Sequence, residues 1–264
     1  MRSVMSPFVR ATVGPVSELW LARPDKANAL LPEMGQAIAA AVRRINAAPE
    51  ARVVLLRAEG QAFCAGGDLS VIEAARRRTA TENVPVMQEF YRSFLSLLDL
   101  RVPAVALVQG AAFGAGLCLA LACDLRIVAD EAKLCANFVR IGLHPGMAAT
   151  LLLPNAVGEA RARELLLTGR VVTGAQAASL GLSHVSAPRA QLGPQVDAAV
   201  AGLLDAAPLA VARTKATLMA PIRARLPAVL RREAEAQALD FASDDAREAL
   251  EAFEARRAPR FRGQ

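Results

Sequence analysis

Two glycine-rich loops constrain the fold of this chain more than any other feature. The first occupies residues 62–69 (AFCAGGDL) and the second residues 108–116 (VQGAAFGAG). Each loop follows a strand-like apolar run and opens a helix-like segment, which predicts a repeated strand–loop–helix unit. Small residues let a backbone approach a ligand closely and leave its N–H groups unobstructed. Two such loops could each aim one N–H at the same oxygen, as the donors of an oxyanion hole do.

The remaining patterns predict an α/β fold with strands mainly before Pro145 and helices after it. Residues 8–13 and 16–23 flank Gly14-Pro15 and indicate a hairpin. The polar, arginine-rich stretch 70–84 has few packing signals and is interpreted as a mobile flap over a pocket. Helices are expected at residues 32–47, 85–100, 114–122, 148–157, 159–168, 174–180, 195–204, 208–218, 221–241 and 244–257.

Composition and net charge limit the classes of protein to which this chain can belong. The chain has 264 residues, is 54% hydrophobic but only 4% aromatic, and carries a net charge of +6. No apolar run reaches the roughly 18 residues that a membrane span needs, and the start lacks the apolar core of a signal peptide, so we expect a cytoplasmic protein. Four cysteines without a CxxC pair and two histidines predict no metal site and no disulfide framework. The basic charge alone favours RNA binding, but few aromatic residues are present for stacking on bases.

Four segments give the chain a family resemblance. FCAGGDL (63–69), VQGAAFGAGLCLALACDLRIV (108–128), IGLHPG (141–146) and LLLTGRVVTGAQAASLGL (165–182) occur in the order typical of the crotonase (enoyl-CoA hydratase/isomerase) superfamily, which the chain resembles over nearly its whole length. The resemblance implies a ββα spiral core with an acyl-CoA site in residues 1–195. It also implies a C-terminal helical oligomerisation region in residues 196–264, which would assemble a homotrimer or a dimer of trimers.

The resemblance also assigns roles to residues of the two loops. It implies that the backbone N–H groups of Gly67 and Ala115 polarise a thioester carbonyl, with coenzyme A present as part of the substrate and no covalently bound cofactor. Asp68 additionally fits a helix N-cap. The segments that contact coenzyme A in relatives correspond here to Lys26, Ala27, Asn28, Ala65, Asp68 and Leu69.

The acid and base groups of a hydratase are missing from the positions that the resemblance indicates. Hydration uses two glutamates in such enzymes, and here these positions carry Cys118 and Phe138. No Asp or Glu occurs between Lys133 and Pro154, so a shift of register does not supply one. Ordinary hydration of an enoyl thioester is therefore expected to be weak or absent.

Four other side chains could take part in chemistry, and each also has a structural interpretation. His144 could be a base near neutral pH, or a residue of a tight Pro-Gly turn. Cys118 could be a thiol nucleophile activated near a helix N-terminus, or a small buried apolar residue. Arg140 could pair with an acidic acyl group or lie on the surface, and Tyr91 could border the acyl pocket or simply pack.

The functional expectation is enolate-type chemistry on an acyl-CoA thioester. A lyase, decarboxylase or hydrolase reaction fits best, because these reactions depend on the oxyanion hole more than on paired glutamates. The alternative is a non-catalytic acyl-CoA-binding module, which the loss of both carboxylates would also produce.

Overall fold

Two β-sheets organise the computed structural model, which describes residues 4–264. The strands are β1 Val4–Ser6, β2 Val9–Thr12, β3 Val16–Leu21, β4 Val53–Ala58, β5 Ala104–Val108, β6 Ala112–Phe113, β7 Leu125–Ala129, β8 Lys133–Cys135, β9 Val172–Thr173 and β10 Val185–Ala187. The larger sheet has the strand order β1-β2-β3-β4-β5-β7-β10, and the smaller has the order β6-β8-β9.

The large sheet changes from antiparallel to parallel along its width. The predicted hairpin is confirmed, because β2 and β3 pair antiparallel with Val9 opposite Leu21. From β3 onward each neighbouring pair is parallel. Strand β4 is buried almost throughout, whereas β3 alternates between buried and half-buried residues. This is the difference expected between a strand covered on both faces and one that is partly open to water.

Successive turns of the chain build a spiral of strand–strand–helix units. Four strands of the large sheet, β3, β4, β5 and β7, are each followed by a short second strand or a single bridge, which pairs with the equivalent piece of a neighbouring turn. Leu30 bridges to Gly67, Cys64 bridges to Ala112, and β6 then pairs with β8. The predicted ββα spiral is confirmed by this stacking. Its consequence is that equivalent loops of consecutive turns lie side by side.

Ten α-helices cover the sheets within the described residues. Several bounds agree with the sequence patterns, notably α1, whose proline occupies the first helical turn, where no N–H is needed. The helices are α1 Pro32–Ala47, α2 Leu69–Arg76, α3 Ala80–Leu95, α4 Ala115–Leu121, α5 Ala149–Val157, α6 Glu159–Thr168, α7 Gly174–Leu180, α8 Leu192–Asp205, α9 Pro208–Asp240 and α10 Asp244–Glu254.

The stretch 70–84, which the sequence suggested as a mobile flap with few packing signals, is mainly helical. It contains most of α2 and the start of α3. Thr79 and Glu82 form a reciprocal capping box at the start of α3. The buried Asn83 donates to the carbonyl of Ala75, and Arg76 donates to the carbonyls of residues 241 and 243. These contacts fix both helices against the rest of the molecule.

The region after Pro145 differs from the sequence prediction in two respects. It contains the short strands β9 and β10 in addition to helices. The two helices predicted around Pro221 are one continuous helix, α9, which includes Pro221 and Pro227. Both prolines lie on exposed positions, where water can solvate the carbonyls that they leave unpaired.

Helix α9 is held to the rest of the molecule by a buried ion pair and by packing against two other helices. The buried Lys215 donates to the carboxylate of Asp124 at 2.7 Å and to the carbonyl of Val102 at 2.9 Å. Further along, α9 packs against α3 and α5. Within residues 4–264 no single helix is long and apolar enough to cross a membrane, although the bent pair Arg189–Asp205 and Pro208–Asp240 has sufficient length and apolar composition together.

Candidate functional site

The register of the spiral places the two glycine loops in direct contact. Cys64 pairs with Ala112, and Gly67 and Ala115 each follow their bridge residue by three positions. Gly66 has φ +103°, and a Cβ there would lie 3.0 Å from the carbonyl oxygen of Phe113 and 3.8 Å from the nitrogen of Ala115. Glycine is therefore needed both for its backbone angle and for the close approach. The loops predicted from sequence come together as one site.

No backbone carbonyl of the described residues accepts a hydrogen bond from the N–H of Gly67 or of Ala115. Leu30 pairs with the neighbours of Gly67: its N–H donates to the carbonyl of Gly66, and its carbonyl accepts from Asp68. Among the backbone hydrogen bonds described for residues 4–264, none has the nitrogen of Gly67 or of Ala115 as donor. Ala115 is the first residue of α4, where an N–H has no acceptor within the helix. The side of Gly67 is open, since a Cβ there would meet no atom within 4 Å.

The segment that contains Lys26 and Ala27 lies against the first loop. The N–H of Ala65 donates to the carbonyl of Ala27 at 3.0 Å. Lys26 is exposed, and Leu69 lies at the surface as the first residue of α2. The structure therefore brings five of the six residues assigned to coenzyme A contacts to one accessible edge of the site.

Asn28, the sixth residue, is instead fully buried. Its side chain accepts from the N–H of Arg23 and donates to the carbonyls of Glu59 and Ala62. These bonds hold the left-handed turn at Ala27 and Asn28, where φ is +49° and +55°. The side chain of Asn28 supports the loop from inside and offers no free group to a ligand.

Asp68 acts as the helix N-cap that the sequence predicted, and it also joins the two segments. Its carboxylate accepts from the N–H and hydroxyl of Ser70 at 3.0 and 2.6 Å, and from the guanidinium of Arg23 at 2.5 Å. Partial burial raises the pKa of Asp68, but the hydrogen bonds from Ser70 and Arg23 outweigh it and lower that pKa overall. Asp68 is therefore held as an anion beside the loop.

Cys118 does not have the environment of a reactive thiol. It lies one turn into α4, is 1% exposed, and its Sγ is 3.7 Å from the carbonyl oxygen of Gly146. Burial, together with the nearby charge of Glu233, raises the pKa of Cys118 well above its ordinary value. Of the two interpretations of Cys118, this environment agrees with the small buried apolar residue, because loss of water around the thiolate opposes activation by the helix N-terminus.

Phe138 and Asn137 border the second loop. A Cβ at Gly114 would lie 3.0 Å from Oδ1 of Asn137 and 3.8 Å from two ring carbons of Phe138. Gly114 directly precedes Ala115, so both side chains lie beside the candidate donor N–H of Ala115. Phe138 is buried and presents an apolar ring there, while Asn137 is half-buried.

His144 is tied into its turn on several sides. Its backbone N–H donates to Asp240 at 2.5 Å, its carbonyl accepts from Gln237 at 2.6 Å, and its ring Nδ1 lies 2.7 Å from the carbonyl oxygen of Pro145. These contacts agree with the turn interpretation of this residue. Arg140 donates to the carbonyl of Thr168 at 2.8 Å on the exposed surface, so its guanidinium is engaged outside the site.

A buried polar network from α9 lies behind the second loop. The hydroxyl of Tyr91, 1% exposed, donates to the Oε1 of Gln237 at 2.6 Å. Glu233, also 1% exposed, accepts from the N–H groups of Ala148 and Thr150 at 2.7 and 2.9 Å, and from the hydroxyl of Thr150 at 2.6 Å. The carboxylate thus satisfies the first N–H groups of α5.

Glu233 provides a buried carboxyl group behind the second loop, although no Asp or Glu occurs between Lys133 and Pro154. Burial raises its pKa to about 7, although its hydrogen bonds with Thr150 and Ala148 oppose the shift. Burial, together with the charge of Glu233, raises the pKa of Tyr91 and of Cys118. The sequence feature that could have indicated this buried group is the spacing of Glu233 and Gln237, which lie one helical turn apart on the buried side of α9.

An apolar cavity of about 550 Å³ begins beside the first loop and extends between α1, α2 and α3. Ser70 lies at the end nearest Asp68, and Arg78 and Glu89 are the charged residues on its wall. Its lining is otherwise mainly aliphatic or aromatic, from Leu31, Pro32, Val71, Ala74, Pro85, Val86, Met87 and Phe90.

The part of the chain that the structure describes contains no cluster of three or more His, Cys, Asp or Glu side chains able to hold a metal ion. All four cysteines are buried and free of disulfide bonds.

Comparison with known proteins gives a consistent result over the whole chain. The sequence profile of the enoyl-CoA hydratase/isomerase family matches residues 12–264. The enoyl-CoA isomerase/hydratase fer4 of Mycosarcoma maydis is 33% identical over 269 residues, covering 98% of this chain and 97% of its own length.

Solved structures agree with the sequence comparison. An enoyl-CoA hydratase from Mycobacterium avium subspecies paratuberculosis superposes with a TM-score of 0.85 at 30% identity, over 97% of this chain and 98% of its own. An enoyl-CoA hydratase/isomerase from Pseudoalteromonas atlantica gives a TM-score of 0.84 at 30% identity, over 97% and 100% of the two chains.

Proposed function

Because the chain belongs to the enoyl-CoA hydratase/isomerase family, we propose that it binds an acyl-CoA thioester and stabilises an enolate formed from it. The observation that carries this proposal is the contact between the two loops, where the N–H groups of Gly67 and Ala115 have no backbone acceptor within residues 4–264. Two such donors stabilise the negative charge that develops on a thioester oxygen, and removing one donor typically costs about 10²–10³-fold in rate.

Coenzyme A is proposed to lie along the edge formed by Lys26, Ala27, Ala65 and Leu69. This edge is accessible, and Lys26 supplies a positive charge for a phosphate. The Arg23–Asp68 ion pair, 2.5 Å long, fixes the two segments to each other before the ligand arrives. The acyl group is proposed to extend into the apolar cavity between α1, α2 and α3.

The chemistry is proposed to be enolate-type and not efficient hydration. Cys118 and Phe138 stand where the resemblance places the two glutamates of hydratases, and neither can be a general base of that kind. The buried carboxyl of Glu233 is occupied by three hydrogen bonds to residues 148 and 150. A lyase, decarboxylase or hydrolase reaction uses the same oxyanion donors without paired carboxylates.

A homotrimer, or a dimer of trimers, is proposed for the assembled protein. Large apolar side chains on the surface of the helices support it, including Leu218 at 70% exposure on α9 and Phe253 at 66% on α10. Exposed apolar groups that cluster on one face are typical of protein–protein contacts.

The test is to incubate the protein with crotonyl-, malonyl- and 3-hydroxybutyryl-CoA and to follow the products by mass spectrometry. We expect slow or absent hydration of crotonyl-CoA, since each missing acid or base group is worth about 10²–10⁴-fold. We expect decarboxylation of malonyl-CoA or hydrolysis of one of the thioesters, whereas dehydration of 3-hydroxybutyryl-CoA, the reverse of crotonyl-CoA hydration, should be equally impaired. Rapid hydration of crotonyl-CoA would contradict the proposed chemistry.

The second candidate is a binding module that holds acyl-CoA without converting it. The burial of Tyr91 and Cys118 behind the second loop favours it, because neither group is accessible for proton transfer. Tight binding of all three thioesters, each recovered unchanged, would establish this alternative.

A further inference from the structure

The side chain of Asn137 has an unusual position for an amide in this protein. The chain contains five asparagines, Asn28, Asn46, Asn83, Asn137 and Asn155. The other four donate from Nδ2 to backbone carbonyls. Asn137 is the exception, since its carboxamide has no hydrogen-bond partner among the described residues. An amide that folding leaves unpaired and half-buried remains free to bind a ligand.

The carboxamide of Asn137 lies next to the second glycine loop. Its Oδ1 lies 3.0 Å from the position of a Cβ on Gly114, the residue directly before Ala115. Gly114 has φ +51°, and its N–H donates to the carbonyl of Cys135 at 2.8 Å. These features fix the backbone beneath the amide. The carboxamide therefore lies at the edge of the oxyanion site on the side of the second loop.

The next residue, Phe138, indicates which kind of acyl group would fit beside Asn137. The ring of Phe138 lies 3.8 Å from the same Gly114 position and forms an apolar surface there. Asn137 is then a neutral polar group beside an apolar wall, and it offers two N–H donors and one acceptor. Such a pair suits an acyl group that is mainly carbon but has an oxygen substituent close to the thioester.

We propose that Asn137 is a specificity-determining residue that binds an oxygen substituent on the acyl carbons next to the thioester, as in 3-hydroxyacyl- or malonyl-type groups. This inference rests on the proposed function, because it assumes that the thioester carbonyl lies between Gly67 and Ala115. A neutral hydrogen bond to a hydroxyl substituent contributes about 2- to 10-fold in affinity, and one to the charged malonyl carboxylate contributes at least as much. A site that loses this partner binds the substituted acyl group no better than the unsubstituted one.

The test measures the Kd of butyryl-, 3-hydroxybutyryl- and malonyl-CoA by calorimetry for the wild-type protein and Asn137→Leu. We expect Asn137→Leu to bind at least one of the two substituted thioesters about 2- to 10-fold more weakly and to bind butyryl-CoA unchanged. Asn137→Asp distinguishes the two substituents. It should keep affinity for a hydroxyl donor, whereas its added charge should repel the malonyl carboxylate.

Asn155→Leu, at an exposed position of α5, is the matched control and should leave all three Kd values unchanged. Equal affinities of the wild-type protein and Asn137→Leu for every thioester would overturn the inference. A loss of affinity for butyryl-CoA as large as the loss for the substituted thioesters would also overturn it, because Asn137 would then not distinguish the substituent. If the wild-type protein binds no thioester at all, the proposed function itself fails.

Discussion

Replacing Glu233 with glutamine should change how the stability of the protein depends on pH. In the folded protein, burial raises the pKa of this carboxyl from 4.5 to about 7. A group with a raised folded pKa holds its proton more tightly in the folded than in the unfolded state. Its stabilising effect is complete below pH 4.5 and is lost as the pH rises through 7.

The magnitude follows from the shift. Each pKa unit corresponds to about 1.4 kcal/mol. Between pH 5 and pH 8 the ionisation of Glu233 should therefore remove roughly 2–3 kcal/mol of unfolding free energy. Glutamine stays neutral, so Glu233→Gln lacks this loss. It still offers a carbonyl acceptor to Ala148 or Thr150, although one N–H donor is left without its best partner.

Urea denaturation of both proteins at pH 5 and pH 8, at one protein concentration, measures the effect. The wild-type protein should lose roughly 2–3 kcal/mol relative to Glu233→Gln over this interval. The exposed Glu235, on the same helix, provides a matched control, since Glu235→Gln should leave the pH dependence of the wild-type protein unchanged. A constant difference between wild type and Glu233→Gln at both pH values would refute the assignment of the raised pKa to Glu233.

Three further outcomes are expected. Ala74→Phe fills the apolar cavity and should weaken the binding of dodecanoyl-CoA by about tenfold or more. In a competition assay the affinity for butyryl-CoA should stay unchanged, and an equal loss for both thioesters would place the acyl chain elsewhere. All four cysteines should resist a thiol reagent in the folded protein and react in urea, and fast labelling of Cys118 would contradict its burial. Light scattering of the wild-type protein should give the mass of a trimer or hexamer, and a monomeric mass would refute the assembly. If α9 lies in the interface, Leu218→Asp should lower the measured mass.

The sequence predicted those parts of the fold that depend on short-range patterns. The bounds of α1, α6 and α7 agree with the predicted ones, because hydrophobic periodicity and turn residues define them locally. The two glycine loops were recognised for the same reason. The capping box of Thr79 and Glu82 was also readable as Thr-x-x-Glu, so the start of α3 could have been predicted from sequence.

The contacts of α9 could not be predicted in this way. Glu233 meets the backbone of Ala148 from 85 residues away, and Gln237 meets Tyr91 from 146 residues away. No local pattern indicates which helix face will meet which loop. The raised pKa of Cys118 has the same origin, since it depends on burial beneath distant elements and not on its place in α4.

In the proposed function, the N–H groups of Gly67 and Ala115 bind a thioester carbonyl. Proline is tolerated at the first position of a helix and has no N–H, so Ala115→Pro removes one donor, while Ala115→Gly keeps it. The infrared frequency of a ¹³C-labelled thioester carbonyl reports its hydrogen bonds directly. The bound carbonyl of butyryl-CoA should move to lower frequency in the wild-type protein and in Ala115→Gly, and much less in Ala115→Pro. A bound carbonyl with the same frequency in all three proteins would contradict the account.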